Sequence, residues 1–140
     1  MTISEVQENI IEEFSLFDDW MDKYNLLIDI GKDLPVIDQK YKVKDFLIEG
    51  CQSKVWLHPV YDGNLISFTA DSDAIITRGI VALLIKVLSN RAPEEIIAAD
   101  LYFIDKIGLR QNLSPTRSNG LLSMVRQMKL YAMAFQASKK

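Results

Sequence analysis

The chain has 140 residues, enough for one compact domain able to bury a core without disulfides or metal. Hydrophobic residues make up 49% and charged residues 25%, the composition of a soluble globular protein. The formal net charge is −3 with no run of Lys and Arg, which argues against nucleic acid as a partner.

The start, Met1-Thr2-Ile3-Ser4-Glu5, lacks a basic segment followed by an apolar core, so no signal peptide is expected. The longest apolar run, Ile80 to Ile85, is far short of a membrane span. A single cysteine, Cys51, cannot form an intramolecular disulfide. Together these features favour the reducing cytoplasm as the expected location.

Ile3, Val6, Ile10, Phe14 and Phe17 recur at spacings of three and four and predict a first helix. Thr2 and Glu5 have capping-box spacing at its start. A second helix is expected from Asp18 or Asp19, presenting Trp20, Tyr24 and Leu27, with Gly31 as its stop and Pro35 beyond. Residues 32–45 read as a loop. The period then changes. Phe46-Leu47-Ile48, Val55-Trp56-Leu57 and Leu65 to Thr69 predict short strands, with Asp62-Gly63 as a hairpin turn.

Asp71-Ser72-Asp73 is expected to open a helix over Ala74 to Leu88, apolar nearly all round and therefore central. Pro93 followed by Glu94-Glu95 suits a short helix, and Leu101 to Ile107 a further turn or two, ended by Gly108. Ser114 or Thr116 caps the last helix, whose buried stripe is Leu121, Val125, Met128, Ala132 and Phe135. Ser138-Lys139-Lys140 reads as a solvated tail. The fold class is α+β: one domain over 1–140, with helices packed on a small antiparallel sheet of about three strands.

Gly50-Cys51-Gln52-Ser53 is the stretch that suggests chemistry. It lies where one short strand ends and the next begins, with Gly50 free to take positive φ. A lone cysteine is ordinarily a small buried hydrophobe. The flanking glycine and polar residues point away from that. A zinc or iron–sulfur site needs three or four ligands, and this chain offers one Cys and one His. His58 is seven residues along a predicted strand, roughly 20 Å from Cys51, beyond the reach of a Cys–His dyad. It reads as a strand-end residue beside Pro59. Thiol–sulfur exchange needs no companion group: a thiolate takes the outer sulfur from a persulfide on another protein.

The segment Glu49-Gly50-Cys51-Gln52-Ser53-Lys54-Val55-Trp56-Leu57 resembles the GCQSxVW motif of the SufE family. Asp71-Ser72-Asp73-Ala74 with Gly79, and Leu113-Ser114-Pro115-Thr116-Arg117-Ser118-Asn119-Gly120-Leu121, are similar to two further family motifs. Gly31 and Leu34-Pro35 fit its early G-x-x-L-P, so the resemblance spans nearly the whole chain. It implies a fold similar to the IscU scaffold. It also implies that Cys51 takes sulfane sulfur from a SufS-type cysteine desulfurase, stimulates that enzyme, and passes sulfur to a downstream iron–sulfur scaffold. The pyridoxal phosphate would be the partner's, leaving this chain with no cofactor and no metal. It would act as a transfer partner and activator, not as an independent enzyme. The rival readings are a CsdE-like acceptor for another desulfurase, a cysteine-dependent transferase or hydrolase, and an interaction module with a structural cysteine.

Arg117, in the third motif, is expected to approach the Cys51 loop, where a cation lowers a thiol's pKa; the alternative is a structural arginine. Asp73 is expected to cap the central helix, with a desulfurase contact as the alternative. Gln52 and Ser53 are expected to hydrogen-bond the loop or the partner, or to serve only the turn. Trp56 reads as core.

Overall fold

The computed structural model describes residues 1–138; Lys139 and Lys140 of the expected tail lie outside the described residues. Helix α1 spans Ile3–Ser15 and begins with the expected capping box. Glu5 N donates to Thr2 Oγ1 at 3.0 Å and Thr2 N donates to Glu5 Oε1 at 2.9 Å. Helix α2, Trp20–Lys32, is capped by Asp19, which accepts from Met21 N at 2.9 Å.

Two strands form the sheet. β1 is Val55–Tyr61 and β2 is Ile66–Ser72, antiparallel in a register running from Val55 opposite Ser72 to Tyr61 opposite Ile66. In the turn between them Asp62 Oδ1 accepts from the amides of Asn64 and Leu65 at 2.8 and 2.7 Å. Phe46-Leu47-Ile48 does not make a third strand. A 3-10 turn takes Lys44–Phe46, then Leu47 forms one isolated bridge to Trp56 and Ile48 N donates to Val55 O at 2.8 Å. Gly50 turns the chain away before a ladder can grow. On the other edge Val36 makes a single parallel bridge to Ala70.

β2 alternates strictly, burying Ile66, Phe68, Ala70 and Ser72. β1 buries Val55 and Leu57 and turns Trp56 and His58 outward. Trp56 is therefore not core: its ring lies half-buried on the outer face, with Lys42 Nζ 4.7 Å from its centroid. His58 sits mid-strand, not at the end, and stacks on Tyr41 with 3.7 Å between ring centroids.

Helix α3, Ile75–Leu88, runs through the core, burying ten of its residues. α2 packs against it with glycine facing backbone on both sides. A Cβ on Gly31 would lie 2.9 Å from Gly79 N, and one on Gly79 would lie 2.9 Å from the carbonyl carbon of Leu27. Gly31 thus does not stop α2; it lies inside the last turn, and its missing side chain admits α3.

Short helices α4 (Pro93–Ala98) and α5 (Phe103–Lys106) lead to α6, Pro115–Ser138. Ser114 caps α6, accepting from Arg117 N at 3.3 Å. α6 buries Leu121, Met124, Met128 and Ala132, while Val125 and Phe135 are half-buried. Gln7 is buried on α1, where its amide donates to Asp100 O at 3.0 Å and accepts from Phe103 N at 3.1 Å. The fold is α+β, helices packed on a small antiparallel sheet, and its hairpin base brings the Cys51 loop against the starts of α3 and α6.

Candidate functional site

Gly50 opens the Cys51 loop at φ 91°, a left-handed conformation that glycine alone takes without strain. A Cβ there would also lie 2.5 Å from Ser123 Oγ, so the loop lies directly on α6 at this point. Cys51 follows, half-buried. Its thiol points to α6, with Sγ donating to Gly120 O at 3.6 Å. Gly120 is the seat: a Cβ on it would stand 3.4 Å from Sγ and 3.8 Å from Cys51 Cα.

The far end of the loop is clamped. Lys54 N donates to Asp73 Oδ1 at 3.0 Å, and Asp73 N donates to Lys54 O at 3.2 Å. Asp73 does not cap α3, contrary to the expectation. The strand pairing continues to Ser72, which leaves Asp73 facing Lys54 across the hairpin base instead of the helix amides. α3 has Ala74 at its cap position and no side-chain cap there. Asp71 is held by Lys42, Nζ to Oδ2 at 3.1 Å.

Cys51 opens on a cavity of about 450 Å³. Its floor is Thr77, Ile80, Gly120 and Met124, all buried. Its rim carries Gln52, Asp73, Thr116 and Arg117, all exposed, together with half-buried Ser53. The N-terminal ends of α3 and α6 both meet this cavity, through Ala74 and Thr116. Those ends favour negative charge within it, and the Arg117 and Asp73 side chains on the rim are of opposite sign.

Of the residues singled out from the sequence, Gln52, Ser53, Asp73 and Arg117 line one space with Cys51, while Gly50 lies outside it against Ser123. The electrostatics differ from the expectation. Burial pushes the Cys51 thiol above its usual range, and no lowering by Arg117 offsets it in this conformation. The thiol is stored, not activated. His58 is not among the residues lining the cavity. Burial, and to a smaller degree the charge of Lys40, hold it below the ordinary imidazole range. Among the described residues no group of three or more His, Cys, Asp or Glu side chains is placed to hold a metal ion.

Four residues of the site, Thr77, Ile80, Ser123 and Met124, were not singled out from the sequence; Ile80 is one of many apolar residues of α3. Thr77 left one signal, a hydroxyl within an apolar helix. Met124 and Ser123 left none, since which faces of α6 meet the loop is decided by packing.

The sequence model described as "SufE: Fe-S metabolism associated domain" matches residues 8–132. The chain belongs to the SufE family. An uncharacterized SufE-like protein of Rhizobium etli is 41% identical over 127 residues, covering 87% of this chain and 86% of that protein. One of Rhizobium meliloti is 39% identical over 127 residues, covering 87% and 91%. Arabidopsis thaliana SufE-like protein 1, chloroplastic/mitochondrial, is 37% identical over 127 residues; the match covers 90% of this chain and 34% of the plant protein. The solution structure of a hypothetical protein from Thermus thermophilus shares the fold, with a TM-score of 0.77 at 16% identity and coverage of 94% and 96%. Membership of the SufE family gives the chain a role in iron–sulfur metabolism. No helix among the described residues is long and apolar enough to cross a membrane.

Proposed function

We propose that this SufE-family chain accepts sulfane sulfur on Cys51 from a SufS-type cysteine desulfurase in the cytoplasm, stimulates that enzyme, and delivers the sulfur for iron–sulfur cluster assembly. One observation carries the reading: the chain's single thiol sits at a loop tip over a cavity with room for an added sulfur. A structural cysteine needs no such space.

The step balances without a cofactor in this chain. The Cys51 thiolate attacks the outer sulfur of the donor persulfide. A new S–S bond forms at Sγ, the donor's S–S bond breaks, and the donor cysteine leaves as a thiolate that takes up the proton Cys51 released. The pyridoxal phosphate that generates the donor persulfide is the desulfurase's. Burial disfavours the thiolate in the resting loop, and movement of the 49–53 loop out of the cavity on docking relieves that penalty. The partner drives that change by binding the loop-out form more tightly. On return, the cavity shields the persulfide from cellular reductants.

Desulfurase turnover of free cysteine tests the reading. Adding the wild-type chain should raise turnover several-fold, and adding Cys51→Ser should not. Equal stimulation by both would show that the cysteine is structural.

A further inference from the structure

The floor of the Cys51 cavity carries two polar features, the Gly120 carbonyl, which accepts from the resting thiol, and the hydroxyl of Thr77. Ile80 offers hydrocarbon, Gly120 bare backbone and Met124 a thioether; Thr77 offers a hydroxyl. Polar side chains at the rim, Asp73 and Arg117 among them, are exposed and hydrated. Thr77 is only 4% exposed, and it lines the cavity, so what surface it keeps is cavity surface.

A buried hydroxyl ordinarily has a partner, and a helical threonine commonly donates to the carbonyl one turn back. Thr77 does neither: no hydrogen bond of its hydroxyl is found among the described residues, and the hydroxyl is not one of the fully enclosed unpartnered atoms, so it keeps access to the cavity. It lies in the first turn of α3, whose N-terminus carries no side-chain cap. A donor is therefore held at the floor of the cavity, beside a helix end that favours anions, with nothing in the chain to receive its bond.

We infer that Thr77 Oγ1 is the hydrogen-bond donor to the outer sulfur of a persulfide carried on Cys51. The inference rests on the proposed sulfur-acceptor function and adds a positioning residue to it. After transfer the outer sulfur is the ionised end of Cys51–S–S⁻, since a persulfide is a stronger acid than its parent thiol. Thr77 donates one O–H to that sulfur and no bond to carbon or sulfur changes. The helix ends supply diffuse positive potential, the rim charges of Arg117 and Asp73 oppose one another, and Thr77 supplies the directed contact that holds the sulfur inward. Valine in its place keeps the volume and loses the donor.

The test compares wild type, Thr77→Val and Thr77→Ser. Each is loaded by a cysteine desulfurase with free cysteine, desalted, and checked by intact mass for one added sulfur. The rate of persulfide alkylation is then followed against pH, along with the loss of sulfur to dithiothreitol. In Thr77→Val the pH midpoint should rise by about one unit and sulfur loss should quicken several-fold, with Thr77→Ser close to wild type. Alkylation of the unloaded thiol should be the same in all three. Coincident curves for wild type and Thr77→Val would overturn the inference. So would a serine variant that behaves like valine, since packing alone would then explain the change. If Thr77→Val does not fold, Thr77→Ala is read in its place. Failure of the wild type to load at all would overturn the proposed function, and is seen before any variant is compared.

Discussion

Cys51 Sγ rests 3.6 Å from the carbonyl oxygen of Gly120, one turn of α6 beyond Arg117, in a gap that any side chain at position 120 would enter. Gly120→Ala separates storage from stability. Alanine in a helix interior is favoured over glycine by about 0.5–1 kcal/mol. Its methyl would stand 3.4 Å from Sγ, tight but tolerable if the thiol shifts by a few tenths of an ångström. The urea midpoint should therefore rise slightly while alkylation of Cys51 becomes faster. A fall in the midpoint would show that the Gly120 contact also holds the fold.

Gly50→Ala should act in the opposite sense on stability. The left-handed φ of 91° costs a non-glycine residue about 1 kcal/mol, and the new Cβ meets the Ser123 hydroxyl. A loss of about 1–2 kcal/mol is expected in urea unfolding, with a more reactive thiol. Adding Ser123→Ala should recover the steric part and leave the conformational part, a separation that a double-mutant cycle reads directly.

Gly79→Ala should be the most damaging of the glycine substitutions. The added carbon meets the backbone of Leu27, which cannot swing aside as a side chain does. Forcing α2 and α3 apart should cost about 3 kcal/mol, read as a large drop in the unfolding midpoint. Gly63→Ala is the control, because a Cβ there has open space around it and pays only for its φ of 92°.

The thiol's pH dependence has a definite sign. Burial raises the folded pKa of Cys51 above that of the unfolded chain. The free protein should thus be alkylated with a midpoint above about 8.5. The stability contributed by this burial is complete below the unfolded pKa and is lost as pH rises through the folded one. Unfolding in urea moves the alkylation midpoint back down. A folded midpoint below that of the unfolded chain would mean that Arg117 or the helix ends dominate after all.

What could be read from the sequence was local. The Thr2–Glu5 box, the start of α2 after Asp19 and the Asp62-Gly63 turn involve neighbours, and each is present as expected. The buried stripes of α1 and α6 follow from helical periodicity. Contacts formed by tertiary packing were not legible. Asp73 looked like a cap because a helix follows it; its partner Lys54 stands across the hairpin base. Trp56 looked like core because it is large, but strand alternation turns it outward beside Lys42. Gly31 looked like a helix stop, and only the crossing with α3 gives its reason. At the site, the motif around Cys51 was legible as chemistry, while the floor beneath it, Thr77 above all, became visible only once α3 and α6 were placed side by side.

Intact mass after incubation with a desulfurase and free cysteine is the most direct measurement. The chain should gain the mass of one sulfur, removable by reductant, and Cys51→Ser should gain none. An unmodified wild-type mass while the desulfurase turns over beside it would contradict the account.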